Sequence, residues 1–300
     1  MAQGLAHAGV SQFLANGDRP GERALDRVYE TFAKSDPFQP VTGFVDHATM
    51  GAEALVALGL GEQVKGWIAR QRPRSYDAPT AGIAIAADWK AALGRRDCHG
   101  DWIAYFDDAL DRRPFADVLA TWLPRFAHEP GALLFHGLIR TGHATRALDH
   151  DDTPARRAEL ARGLALWAIG IRGAPPDTAD GAADAETMLD YARSGAAAFL
   201  RNPSIVVLHY VTGPMGYMLL GDHGGARAHR FAAEGFARTH GKLAAAGQTP
   251  AESVPTFDRT RIEGLARQSN VHAIKLTEAA FRAYEVTGDA LFLHAAARMH

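Results

Sequence analysis

The chain has 300 residues, of which 47% are hydrophobic, and a formal net charge of -2. This length and apolar content are sufficient for one large domain with a substantial core. The balanced charge, without long runs of like sign, argues against a nucleic-acid-binding surface and against a segment that binds anionic membranes. We therefore expect neither nucleic acid nor a membrane as a partner.

The single cysteine, Cys98, excludes an intrachain disulfide and a metal site built from several cysteines. The first residues lack the basic segment and long apolar run of a signal peptide. No stretch reaches the ~18 consecutive apolar residues of a membrane helix. A cytoplasmic protein is expected, and no oligomeric state is predicted.

Apolar residues recur at helical spacing along the chain, which predicts an all-α fold of roughly a dozen packed helices. Residues 1–22 are expected to be a loose N-terminal lead-in, and residues 23–300 a single all-α catalytic domain. Loops are expected at 72–79, 173–181 and 248–258. Helices are predicted at 22–34, 47–59, 62–71, 82–93, 101–110, 114–126, 136–148, 155–170, 184–200, 202–220 and 224–246, in the stretch 261–284, and after the turn Thr287-Gly288-Asp289.

Histidine is the informative residue type. Five of the 14 histidines lie among aliphatic or small residues: His47, His136, His143, His209 and His272. A single histidine of this kind is more often a hydrogen-bonded core residue, but every buried imidazole needs partners for its nitrogens. Five of them on four helices favour a shared metal ion. Eight others lie in polar, terminal or loop segments and are expected at the surface: His7, His99, His128, His150, His223, His229, His240 and His300.

Lys275 follows His272 by three residues, so the two side chains project from neighbouring positions of one helix. Lys275 lies between Ile274 and Leu276, and both a solvated and a buried lysine are compatible with that context. Burial would lower the pKa of the amine. A free amine can add carbon dioxide and become a carbamate, an anionic oxygen ligand.

Four segments, taken together and in this order, resemble the questin oxidase family of oxygenases: Phe44–Gly59, Leu134–His143, Ile205–Pro214 and His272–Lys275. The resemblance implies non-haem iron, Fe(II), that reacts with O2 on a small aromatic substrate of the polyketide type found in secondary metabolism. It also implies the metal ligands, which in this chain are His47, His136, His209, His272 and a carboxylated Lys275. The chain is shorter than the fungal members, which puts their large polyaromatic substrates in doubt.

The helix of His136 carries two further candidates. His143 lies on the same helical face as His136, with Arg140 between them. A guanidinium is badly placed beside a bare cation but suits an anionic or carbonyl-bearing substrate. We therefore predict Arg140 and His143 as catalytic residues, with His143 either facing the substrate or supporting a ligand. Four glycines near these motifs leave room for close helix approach or for a flat ligand: Gly137, Gly142, Gly213 and Gly216.

Three alternative functions stay open. NADPH-linked Baeyer–Villiger oxidation is a second activity that the resemblance implies, although the glycine-rich fingerprint of dinucleotide-binding folds is missing. A metal-dependent hydrolase would add carboxylate ligands, for which Asp46, Glu53 and Glu278 are the candidates. A non-catalytic helical-hairpin scaffold that binds a partner protein would instead scatter the histidines through the structure.

Overall fold

The computed structural model describes residues 10–14, 21–38, 44–71, 77–85, 88–176, 185–241, 243, 253–268 and 270–300. These residues form thirteen α-helices. Their only β geometry is two isolated bridges, which join Ser35 to Asp77 and Phe38 to Val45. The predicted all-α fold is confirmed.

The helix bounds follow the apolar periodicity closely in most of the chain. The first seven helices are α1 (Glu22–Phe32), α2 (Ala48–Ala57), α3 (Val64–Arg70), α4 (His99–Arg112), α5 (Phe115–Phe126), α6 (His136–His150) and α7 (Pro154–Ala168). The other six are α8 (Ala185–Arg201), α9 (Ile205–Met218), α10 (Gly225–His240), α11 (Arg259–Arg267), α12 (Val271–Thr287) and α13 (Ala290–Ala297). Short 3-10 turns occur at Gly61–Gln63, Trp89–Ala92 and Arg96–Cys98.

Several helix ends use the local signals that the sequence carries. The Thr153 side chain accepts a hydrogen bond from the Arg156 N–H, and Pro154 is the first residue of α7. Gly288, at a φ of 67°, ends α12 in the left-handed conformation that glycine adopts without a steric penalty. The turn to α13 therefore lies where the sequence predicted it.

The predicted helix at 82–93 is wrong. In the described part of this segment, residues 82–85 and 88–93, the one helical element is the 3-10 turn Trp89–Ala92. The carboxylate of Asp101 accepts hydrogen bonds from the N–H groups of Gly82, at 2.6 Å, and Ile83, at 2.7 Å. A side chain of α4 thus satisfies these two backbone donors, which do not need the hydrogen bonds of a helix.

The stretch 261–284 is two helices, since Gln268 adopts an extended conformation after α11 and Asn270 caps α12. Conversely, α9 is not broken at Pro214. Proline offers no N–H to the carbonyl of Tyr210, but that carbonyl accepts a 3.0 Å hydrogen bond from Nε2 of the buried His240. A side chain of α10 thus replaces the lost backbone bond.

Two apolar clusters form the interior. One is built mainly by α1, α2, α3, α8, α9, α11, α12 and α13, and the other mainly by α4, α5, α6, α7 and α10. Helices α6 and α9 contribute to both clusters and pack against each other. Val10 and Phe13 belong to the first cluster, with the ring of Phe13 near that of Phe281. This part of the expected loose lead-in is therefore packed into the core.

Glycines lie where the helices approach most closely. A Cβ added to Gly142 of α6 would overlap the carbonyl oxygen of Gly216 in α9. A Cβ added to Gly137 would overlap the backbone of Trp167 in α7. At Gly213 it would meet the ring of Phe135. Close helix approach, rather than a flat ligand, therefore uses the space at these glycines.

No helix in the described residues has both the length and the apolar character needed to cross a membrane.

Candidate metal centre

The four candidate histidine ligands lie near the N-terminal ends of four helices. His47 is the N-cap of α2, His136 the first residue of α6, His209 the fifth residue of α9 and His272 the second residue of α12. The N-terminal end of a helix carries a partial positive charge and unpaired N–H groups. Four such ends around one point favour an anionic group among the ligands.

The four imidazoles converge, as the sequence predicted for a shared site. One ligand nitrogen each of His47, His209 and His272 lies within 4.8 Å of the other two. The ring of His136 is a fourth neighbour, with its centroid 4.7 Å from that of His47 and 4.7 Å from that of His209. His136 lies at the edge of the tighter group of three.

The same side chains hold buried polar atoms without a hydrogen-bond partner. These atoms are the Nε2 of His47, His136, His209 and His272 and the Nζ of Lys275. Buried polar atoms are nearly always paired, because an unpaired one costs about 1–3 kcal/mol. Five unpaired atoms on neighbouring residues indicate a ligand that they share.

Backbone carbonyls fix the protonation of two imidazoles. Nδ1 of His136 donates to the carbonyl of Leu133, and Nδ1 of His209 donates to the carbonyl of Ile205 at 2.6 Å. A carbonyl can only accept, so the proton is on Nδ1 and the lone pair is on Nε2. This is the arrangement that supports metal-ligating histidines.

The carbonyl that orients His136 belongs to a strained turn. Leu133, Leu134 and Phe135 have φ values of 48°, 55° and 64°, and no other non-glycine residue described has a positive φ. Left-handed conformations of such residues cost about 1–2 kcal/mol each. Strain of this kind clusters at functional sites. Here the strained turn places the Leu133 carbonyl where it accepts a hydrogen bond from the ring of His136.

The electrostatics keep the four imidazoles uncharged. Burial, and then the charge of Lys275, lower the pKa of His272 to about 3 and that of His136 to about 4. The same causes lower the pKa values of His47 and His209 well below 6.5. Burial alone lowers the pKa of Lys275 from 10.5 to about 7, and the residue is only 1% exposed.

These donors fit a first-row divalent cation. Neutral imidazoles are the ligand form of histidine, and several imidazoles with one oxygen ligand are typical of non-haem Fe(II). A protonated lysine would repel a cation. A buried amine with a pKa near neutrality can be free, which is the form that carbon dioxide attacks. The surroundings of Lys275 therefore suit a carbamate.

His143 lies two turns further along α6, about 10 Å from His136. Its Nδ1 is 2.6 Å from a carboxylate oxygen of Glu53. His143 is thus not a member of the four-ring cluster. It is an imidazole oriented by a carboxylate, and its role as substrate-facing residue stays a prediction.

A buried ionic network surrounds His143 and joins the four helices of the cluster. Arg146 of α6 bonds to Glu53 of α2 and to Glu278 of α12. Arg282 of α12 bonds to Glu278, at 2.6 Å, and to the carbonyl of Met215 in α9, at 3.1 Å. Burial raises the pKa of Glu278, but the two arginines outweigh it and lower that pKa to about 2.

Arg140 has a different environment from the one expected. Its Nε and Nη2 donate to the two carboxylate oxygens of Glu159, both at 2.7 Å, and both residues are buried. The pair joins α6 to α7, and its charge is neutralised within the protein. Contact between Arg140 and a substrate stays a prediction.

The carboxylates that a hydrolase would need are engaged elsewhere. Glu53 and Glu278 bond to arginines, and an oxygen of Asp46 accepts the N–H of Ala48 at 2.7 Å. In addition, three histidines expected at the surface are buried, namely His99, His128 and His240.

Sequence reasoning also missed Thr212, whose buried hydroxyl has no hydrogen-bond partner among the described residues. Its position, one turn beyond His209, was the available signal.

The fold and the cluster define an all-α protein with a buried histidine–lysine centre suited to a divalent metal. Comparisons of the chain with protein-family profiles, curated proteins and solved structures found no match. The resemblance to questin oxidases therefore rests on the four sequence segments quoted above.

Proposed function

We propose that the protein is a metal-dependent oxygenase, similar to questin oxidases, that uses O2 to cleave or oxygenate a small aromatic substrate of polyketide type. The observation that carries the proposal is the group of five buried, unpartnered atoms on His47, His136, His209, His272 and Lys275. These residues would hold Fe(II). When bound, the metal supplies the reaction of the substrate with O2.

The protein's own contribution is binding, orientation and proton transfer. The His143 imidazole is held by Glu53 through Nδ1, so the lone pair that a base needs is on Nε2. A base of this kind would take the proton of an acidic phenol or of an enolisable position of the substrate. The clustered helix N-termini favour the anion that results. The helices that carry the centre belong to the two apolar clusters, which favours a site with little water.

Two experiments test the proposal. Protein purified without a metal-affinity step should contain iron, or should take up Fe(II) anaerobically, in a near-stoichiometric amount. Replacement of His209 or His272 by alanine should abolish uptake, whereas His294→Ala, in α13 and outside the cluster, should leave it unchanged. Oxygen consumption with hydroxylated anthraquinones or smaller phenols then tests the reaction. A wild type that takes up no metal would disprove the metal centre.

The alternatives give different results in the same assays. NADPH-linked oxidation would make oxygen consumption depend on added NADPH. A hydrolase would show two bound zinc ions and esterase activity without oxygen consumption. The pairing of Glu53 and Glu278 with arginines makes the hydrolase the weaker candidate, since it leaves these carboxylates no free bridging role. A scaffold predicts scattered histidines, whereas four of the five imidazoles are clustered.

A further inference from the structure

Thr212 differs from five other threonines of the described helices. A threonine inside a helix usually donates its hydroxyl proton to the carbonyl four residues earlier. Five threonines of this chain do so: Thr31, Thr121, Thr141, Thr145 and Thr287. Thr212 is only 3% exposed, and its hydroxyl has no hydrogen-bond partner among the described residues. A buried hydroxyl that leaves its own helix unbonded is oriented toward something else.

The position of Thr212 follows from how α9 and α12 pack. The ring of His209 lies 5.5 Å from that of His272, and Arg282 further along α12 donates to the Met215 carbonyl further along α9. The two helices therefore run in the same direction. Thr212 and Lys275 each follow a histidine of this pair by three residues, so they lie at the same level, one turn beyond the imidazoles.

Both residues at this level carry an unsatisfied buried atom, the Thr212 hydroxyl oxygen and the Lys275 amine nitrogen. One polar group that lies between the two side chains would satisfy both atoms. We propose that Thr212 positions the carboxylated side chain of Lys275, by donating a hydrogen bond to the carbamate oxygen that does not face the metal. This inference rests on the proposed carbamate ligand.

The carboxylation itself balances with carbon dioxide as the only co-reactant. The lone pair of Nζ forms a bond to the carbon of CO2, one C–O π pair becomes the carboxylate charge, and one N–H proton leaves for water. The product has two oxygens, of which one can bind the metal. The second oxygen shares the negative charge, and a hydrogen bond from a neutral donor to such an anionic acceptor is stronger than one between two neutral groups. The Thr212 hydroxyl is such a donor.

The test measures carboxylation directly and needs no activity. Wild type and variants are equilibrated with carbon-13-labelled bicarbonate, and the carbamate signal is followed by NMR with and without metal. Thr212→Val keeps the branched shape but removes the donor. We expect carbamate occupancy and metal affinity to fall about tenfold, the equivalent of one hydrogen bond to a charged group. Thr212→Ser should restore both. Thr145→Val, which removes a buried hydroxyl already bonded to the backbone, should leave both unchanged.

Unfolding temperatures, measured in parallel, separate positioning from folding. A structural role alone would change stability in Thr212→Val without changing carbamate occupancy, and that result would overturn the proposal. If the variant keeps the wild-type carbamate while Lys275→Ala loses metal, Thr212 has no positioning role and the metal centre stands. If wild type forms no carbamate in the presence of bound metal, the carbamate ligand and the role of Thr212 both fail. If wild type forms carbamate but binds no metal, the oxygenase proposal fails and the carbamate comparison still decides on Thr212.

Discussion

Nδ1 of His143 lies 2.6 Å from a carboxylate oxygen of Glu53, and Glu53 is completely buried. The carboxylate accepts a hydrogen bond from Nδ1–H, so the lone pair is on Nε2 and the plane of the ring is fixed. Arg146 holds the same carboxylate in place. This arrangement orients a base by a second residue and the second residue by a third.

We predict that His143→Gln keeps the metal but lowers kcat/KM by about 10²–10⁴-fold, the usual contribution of a general base. Burial lowers the pKa of His143, and the hydrogen bond to Glu53 partly opposes this shift. The imidazole therefore stays neutral down to pH values below 6.5. Activity that depends on His143 should therefore persist at neutral pH and be lost only as the pH falls below that value. Metal analysis and a pH–rate profile are the measurements. Loss of metal in His143→Gln would assign the residue to the metal centre instead.

The second prediction concerns Lys275. Lys275→Ala and Lys275→Arg should both lose metal, because guanidinium cannot be carboxylated. Added bicarbonate should raise metal loading of the wild type but of neither variant, and short carboxylic acids should partly rescue Lys275→Ala. The exposed Lys65 of α3 provides the control, since Lys65→Arg should bind metal normally. Metal binding by Lys275→Arg at the wild-type level would show that no carbamate is needed.

The third prediction is that the metal-free protein loses stability as the pH falls. The pKa values of His272 and His136 are about 3 and about 4 in the folded state, against 6.5 for an ordinary histidine. Between these values the unfolded chain binds protons that the folded one does not. Each histidine thus contributes a loss of about 1.4 kcal/mol per pH unit as the pH falls from 6.5, until its folded-state pKa is reached. The sign is the same for Lys275, whose contribution grows as the pH rises from about 7 to 10.5.

Urea unfolding of the metal-free protein at several pH values measures this slope. The double variant His136→Asn, His272→Asn should have a flatter pH dependence between 4 and 6.5. His294→Asn should keep the wild-type slope. An unchanged slope in the double variant would mean that these imidazoles are not buried in a neutral form.

The fourth prediction tests the crossing of α6 and α9. Gly142→Ala would place a methyl group on the carbonyl oxygen of Gly216, which we expect to destabilise the protein by about 1–3 kcal/mol. Gly66→Ala in α3 is the matched control, because the nearest atom to its Cβ is the end of a flexible arginine side chain, 3.9 Å away. Alanine there should be neutral or stabilising by up to about 1 kcal/mol. Chemical unfolding compares the two, and equal stabilities would contradict the close crossing.

The fifth prediction concerns the ionic network. Arg146→Ala would leave the buried carboxylates of Glu53 and Glu278 without one of their partners, which we expect to cost about 3–5 kcal/mol. Arg112→Ala removes an exposed pair with Asp108 and should cost only about 0–1 kcal/mol. The difference between their unfolding free energies is the measurement. A similar small loss in both would mean that the network does not hold the helices together.

The members of the centre were predictable because each lies in a short apolar context. His209 follows Ile205-Val-Val-Leu208, and Lys275 lies between Ile274 and Leu276. An aliphatic run around a polar side chain predicts burial, and buried imidazoles need a partner. The error at 82–93, where the apolar spacing predicted a helix, was not avoidable from the sequence, because the N–H groups of Gly82 and Ile83 bond to Asp101, a residue outside the segment. Helix propensity and apolar spacing within the segment cannot predict a hydrogen bond to a residue outside it.

By itself, the sequence determined the all-α class, most helix bounds and the residues to examine for a metal centre, because helical periodicity, caps and apolar context are local properties of the chain. Only the tertiary structure decided which histidines meet. His143 and His136 share one helical face, yet His143 bonds to Glu53 whereas the ring of His136 packs against that of His47 in the cluster. The burial of His240 and the missing partner of Thr212 likewise depend on neighbouring helices. Such pairings are set by how helices cross, and residues distant in sequence fix those crossings.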